Sequence, residues 1–168
     1  RLVVPYPPGG FTDVVSRMVG ERLQTSLSRA VIVENRPGAG TNLAAEQVSR
    51  SAPDGNTVLM GTSSLAINAS LYKKLGYAAM SDLRPLGVFA STGYALLASK
   101  SLSANTLSEL IAQAKAQPDK LSYGSSGNGA VNHLAGELFK SVSGTSLLHV
   151  PYKGSQAALT DLIGGRID

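Results

Sequence analysis

The chain has 168 residues, 43% of them hydrophobic and 15% charged, which excludes a disordered chain and suffices for the core of one domain or two small ones. Fifteen Lys and Arg against eleven Asp and Glu leave a net charge of +4, but the cations are scattered and Lys73-Lys74 is the only basic pair, which argues against nucleic acid and favours a small anionic ligand. There is no cysteine, hence no disulfide, thiolate metal site or cysteine nucleophile, and no run approaches the roughly 20 apolar residues of a membrane span or reads as a signal peptide.

In chain order, an apolar strand at Leu2–Tyr6 gives way to Pro7-Pro8-Gly9-Gly10-Phe11-Thr12-Asp13 and then to a helix with apolar positions at Val14, Val15, Met18, Val19 and Leu23. The pattern repeats at Val31–Asn35, with the loop Arg36-Pro37-Gly38-Ala39-Gly40-Thr41-Asn42 before a helix through Leu43, Ala44, Ala45 and Val48. Pro53-Asp54-Gly55 forms a turn, Thr57–Gly61 a third strand, and Thr62–Asn68 follows at the carboxyl edge, where open α/β sheets bind ligands. Residues 69–83 are irregular or short-helical, with Tyr72, Leu75 and Tyr77 packing. Strands are expected at Leu86–Ala90 and Tyr94–Ala98, a crossover over residues 99–104, and a helix capped by Thr106 that runs to Lys115. A third strand–loop–helix unit comprises Leu121–Tyr123, Gly124-Ser125-Ser126-Gly127-Asn128-Gly129 and a helix with Val131, Leu134, Leu138 and Phe139. A strand at Leu147–Val150 and a helix over Gln156–Ile163 close the chain. The pattern implies two α/β lobes with parallel sheets, residues 1–100 and 101–168. Arg1 opens directly on a strand and Gly164–Asp168 leads into another, so the chain is expected to be a fragment of a longer protein.

The recurring loops carry the functional signal. A helix start leaves unpaired N–H groups at the positive end of its dipole, and glycines let an anion approach them. In the first loop the N–H groups of Gly9, Gly10, Phe11, Thr12 and Asp13 are candidates for one carboxylate, with Asp13 orienting loop or water; the alternative is a plain turn with Thr12 or Asp13 as N-cap. Gly38-Ala39-Gly40-Thr41-Asn42-Leu43 departs from the dinucleotide fingerprint at Leu43, which sets aside a Rossmann reading. Gly40 and Asn42 are candidate contacts, Asn42 equally a cap, and Ser63 and Ala66 follow the same logic. In the second lobe the candidates are Ser125, Gly127, Asn128, Gly129 and His133, the last as a ligand contact or as a hydrogen bond to the loop. His149 is read as packing or as orienting the turn that follows it, and two histidines on different elements make no metal site.

Seven segments in one order carry a resemblance: Pro7–Asp13, Val33–Gly40, Ala52–Gly55, Asn68–Tyr72, Tyr123–Gly129, His133–Phe139 and His149–Gly154. With them the chain resembles the extracytoplasmic solute receptors of tripartite tricarboxylate transporters, the TctC or Bug family. The resemblance implies a periplasmic binding protein of type II-like fold, two α/β lobes closing on a cleft, with the first lobe completed by chain returning from the second. It further implies a monomer in the periplasm that binds a small carboxylate (a di- or tricarboxylate, an acidic amino acid or an aromatic acid) through loop backbone and water, without metal or cofactor. The partners so implied are that ligand and the transporter's membrane subunits; no catalysis is expected. The competing reading is a small α/β serine hydrolase with Ser125 as nucleophile and His133 as base, although no Asp or Glu is placed to orient the histidine and the Gly-x-Ser-x-Gly elbow is missing.

Overall fold

A computed structural model describes residues 1–168, which divide into two compact units, Arg1–Gly87 and Val88–Asp168. The division falls ahead of the stretch at 99–104 that the composition marks. Ser99 shows why the later residues group forward: its N–H donates to the Asp168 carbonyl at 2.8 Å.

The first unit is built on a parallel sheet of β1 (Leu2–Val4), β2 (Val33–Asn35) and β3 (Val58–Leu59) in the order β2-β1-β3. Leu2 pairs with Val33 and Val58, and Val4 with Asn35, so all three strands end at one edge. The central strand is buried along its length, as an all-apolar Leu-Val-Val run covered on both faces must be. Leu2, Val4 and Met60 form the core, with Val31, Val33 and Val58 packed against it. Helix α1 (Phe11–Leu27) lays Asp13, Ser16 and Gly20 inward; Gly20 comes so close to Val31 and Val33 that a methyl group there would sit 3.2 Å from Val33 Cγ2. Of the apolar positions along the helix, Val15 and Val19 are half-buried, while Val14, Met18 and Leu23 are exposed. Helices α2 (Asn42–Ser49) and α3 (Ser64–Leu71) complete the unit, Ala44 and Ala45 of α2 being fully buried.

The second unit pairs β4 (Ser122–Ser125) with β5 (Leu148–Pro151) in parallel, from Ser122 opposite Leu148 to Ser125 opposite Pro151. Helix α4 (Leu107–Ala116) starts as expected, with the Glu109 N–H donating to Thr106 Oγ1. Ala114, Leu121 and Leu147 form the core with Leu110, Tyr123 and Phe139 around them. Helix α5 (Val131–Ser143) crosses β4 closely enough that a methyl group at Gly136 would run into the Tyr123 ring. Helix α6 (Ser155–Ile163) returns the chain to β4, where the Asp168 carboxylate accepts from both the N–H and the Oγ of Ser122.

The strands expected at Leu86–Ala90 and Tyr94–Ala98 are absent: the segment takes no regular structure, and Leu86, Val88, Tyr94, Leu96 and Leu97 are exposed. A strand exists through its ladder, and no strand of this chain runs beside these residues.

Candidate functional site

Because β1, β2 and β3 are parallel and in register, the loops that follow them gather at one edge of the sheet. In the first loop Gly9 turns the chain with φ of +87°, a conformation glycine adopts without strain, and Gly10 stands in the N-cap position with no side-chain cap. The N–H groups of Phe11, Thr12 and Asp13 therefore take no partner within the chain, as the first turn of an uncapped helix dictates.

Asp13 is an organiser of this loop. It is buried, and its two oxygens accept from four donors: Gly9 N–H at 2.9 Å and Arg17 Nε at 3.0 Å on Oδ2, Arg17 Nη2 at 3.0 Å and Asn35 Nδ2 at 2.8 Å on Oδ1. The Arg17 hydrogen bonds are the chief cause that holds its carboxyl down at about 2, assisted by Gly9 and Asn35 and opposed by burial. Asn35, the last residue of β2, also donates to the Tyr6 carbonyl at 2.9 Å and so ties the first loop to the second strand. With its charge saturated by Arg17, Asp13 shapes this loop from inside it.

The second loop is the most strained part of the chain. Ala39, Gly40 and Thr41 all have positive φ, and for β-branched Thr41 at +82° this costs about 1–3 kcal/mol. A polar clamp from α3 holds it. Asn68 Nδ2 donates to the Gly40 carbonyl at 2.6 Å and to Asn42 Oδ1 at 2.8 Å, while Tyr77 OH donates to the same Asn42 oxygen at 2.9 Å. Asn68 Oδ1 is left enclosed without a donor, a cost of about 1–3 kcal/mol, as is Thr62 Oγ1. Asn42 Nδ2 makes no bond in the chain and is not sealed from solvent. Ser63 and Ala66, at the start of α3, are exposed, and the Ala66 N–H is spent on the Ser63 carbonyl.

In the second unit the loop after β4 is closed on itself. The Ser126 N–H donates to Asn132 Oδ1 at 3.3 Å, the Gly127 N–H to Ser125 Oγ at 3.2 Å, and the Gly129 N–H to His133 Nδ1 at 3.2 Å. Exposed Asn128 and the first-turn N–H groups of Val131, Asn132 and His133 are what this loop still offers outward. Ser125 is fully buried, and its Oγ lies 2.7 Å from His149 Nε2; His149 stacks on His133 at 4.1 Å and on Tyr123 at 4.9 Å. Burial, then the neighbouring His133, lowers the His149 pKa. Burial, then Glu137 at 2.7 Å from its hydroxyl, raises that of Tyr123. The hydrolase reading finds no support in this geometry: Ser125 is buried and paired with His149 rather than His133, and Glu137 is engaged by Tyr123 and Lys140.

A family model described as the tripartite tricarboxylate transporter family receptor, TctC, matches residues 15–168. The chain belongs to the TctC family. Among curated relatives, it is 38% identical to protein BugT of Bordetella pertussis over 98% of this chain and 51% of that protein, and 37% identical to a UPF0065 protein of Agrobacterium vitis over 99% and 48%. It thus spans about half the length of the curated relatives it matches. Among solved structures, a periplasmic transporter is 39% identical with a TM-score of 0.95, covered over 57% of its length. An R. palustris protein solved with adipate is 37% identical, with a TM-score of 0.95 over 99% of this chain and 56% of that one. MatC of Rhodopseudomonas palustris, with bound malate, is 31% identical with a TM-score of 0.82 over 99% and 57%. The fold is that of the periplasmic binding proteins, mixed α/β, as the sequence resemblance implies.

Against the TctC expectations, the first unit brings Gly9, Gly10, Phe11, Thr12, Asp13, Gly40, Asn42, Ser63 and Ala66 to one sheet edge, and the second gathers Ser125, Gly127, Asn128, Gly129 and His133 around the start of α5. Reading the sequence missed Arg17, Asn35, Asn68 and Tyr77, which orient the loops rather than form them. Two of these carried a signal: Asn35 ends a strand, and Asn68 is a lone amide within the apolar run Leu65-Ala66-Ile67.

Proposed function

We propose that the full-length protein is a periplasmic receptor that captures a small carboxylate and delivers it to the membrane subunits of a tripartite tricarboxylate transporter. The observation that carries this reading is the first loop, where three helix-start N–H groups stand open at the carboxyl edge of a parallel sheet above a carboxylate neutralised by Arg17. An incoming anion meets oriented backbone donors and no net negative charge. Charge-assisted hydrogen bonds of this kind are about twice as strong as neutral ones. The adipate and malate held by two structural relatives support a dicarboxylate. Binding requires no covalent chemistry, and the buried Ser125 takes no part in turnover.

The test is a thermal-shift and calorimetric screen of the full-length protein against adipate, malate, succinate, citrate, glutamate, aspartate, nicotinate and terephthalate, with each acid recovered afterwards. A rise of several degrees for one acid, released unchanged, is the expected result. A folded protein that responds to none of them, or one that converts an acid, refutes the reading.

A further inference from the structure

We propose that Asn68 is a positioning residue that locks the side-chain amide of Asn42 with Nδ2 turned outward as a donor to a ligand carboxylate; this deepens, and rests on, the receptor reading. A chain of exclusions fixes the orientation. The Gly40 carbonyl can only accept and lies 2.6 Å from the Asn68 amide, so the atom facing it is Nδ2. The same nitrogen lies 2.8 Å from the Asn42 side chain, which must therefore present Oδ1. Tyr77 OH, at 2.9 Å, gives that oxygen its second donor. A flipped Asn42 would set its NH₂ against the Asn68 NH₂, so the flip is closed.

The consequence is a directed donor. Asn42 is 8% exposed and Asn68 fully buried, yet Asn42 Nδ2 has no partner in the chain and keeps contact with solvent. It stands at the start of α2, at the sheet edge where the Gly9–Asp13 loop also lies. Asn68 meanwhile carries an enclosed, unpaired Oδ1. An apolar side chain of similar volume would carry no such penalty, so what the asparagine adds at this position is direction.

The experiment is a double-mutant cycle in the full-length protein, reading the Kd for adipate and malate by calorimetry. Asn42→Ala and Asn68→Ala are each expected to weaken binding about tenfold, the loss of one charge-assisted hydrogen bond. If Asn68 acts through Asn42, the double variant binds as Asn42→Ala does; losses that multiply to about a hundredfold overturn the proposal. Tyr77→Phe, which removes a donor at constant shape, provides the same test should Asn68→Ala fail to fold: a few-fold loss in wild type and none in the Asn42→Ala background. A readout without ligand separates the two claims, since the Asn42 side-chain ¹⁵N heteronuclear NOE should be rigid in wild type and collapse in either partner variant. Unchanged rigidity in both overturns the positioning role whatever binds. Binding that survives Asn42→Ala overturns the donor role alone, and a wild type that binds neither acid overturns the donor role together with the receptor reading.

Discussion

Replacing Asp13 by Asn removes a charge while keeping its shape, and the structure sets the cost. Four N–H donors converge on the two carboxylate oxygens; an amide has one oxygen, so its NH₂ must oppose two of the four. The charge-dependent part follows from the shift of the carboxyl from 3.8 to about 2, worth about 2 kcal/mol. Opposed donors raise the total to about 3 kcal/mol, or about 6–12 °C in Tm for a domain of this size. The sign of the pH dependence is fixed. A carboxyl with a depressed folded-state pKa stabilises fully above its unfolded value of 3.8 and loses that contribution as pH falls towards about 2. Urea unfolding of wild type and Asp13→Asn at pH 7, 4 and 2, followed by circular dichroism, should therefore show a gap that narrows by about 2 kcal/mol between pH 4 and pH 2. Taking the difference cancels every other titrating carboxylate. A gap that is constant over this range, or below about 1 kcal/mol at pH 7, would refute the account of Asp13 as a saturated acceptor that shapes the loop.

Gly10→Val should separate affinity from stability. A Cβ at Gly10 meets nothing within 4 Å and φ is −79°, so stability should fall by no more than about 1 kcal/mol, while a branched side chain over the open donors should weaken adipate or malate binding at least tenfold. Equal losses in both would mean a plain turn. His149→Gln should flatten the stability profile between pH 6.5 and pH 5: burial lowers the folded pKa below 6.5, so the unfolded chain takes up the proton first and wild type loses stability as pH falls through this window. A profile as steep in the variant as in wild type would place the titration elsewhere.

The parallel β–loop–α units were legible because each rests on local chemistry: an apolar run, glycines where the turn needs them, and a helical period behind it. The 86–98 segment shows where that stops. Its composition suits strands, yet extended residues become a strand only when another backbone lies alongside, and that is a property of topology rather than of the residues themselves. Helix α1 shows the same limit in its packing. The apolar positions along it do not reveal that Asp13, Ser16 and Gly20 are the buried ones, with Asp13 held by four donors at the first turn.

The candidate loops make the corresponding case for the site. The Gly9–Asp13 and Ser125–Gly129 segments carry the same signature of glycines and small polar residues before a helix, yet they differ in what they offer a ligand. In the second, side-chain acceptors lie within one helical turn of the loop: Asn132 takes the Ser126 N–H and His133 takes that of Gly129, so these donors are used before a ligand arrives. In the first, the nearby acceptor is Asp13, which takes the Gly9 N–H, correcting the expectation that this donor is free for a ligand, and is otherwise filled by Arg17 and Asn35, leaving the N–H groups of Phe11, Thr12 and Asp13 open. Glycine spacing therefore identifies where an anion can approach. Whether the donors remain available depends on which side chains reach the loop first, and Asn35, eighteen residues after Arg17, and Asn68, 28 after Gly40, are placed there by the fold. The amides that close on these loops from other elements decide which donors stay open, and on the proposed receptor reading the orientation of Asn42 by Asn68 bears on ligand affinity as directly as the glycines do.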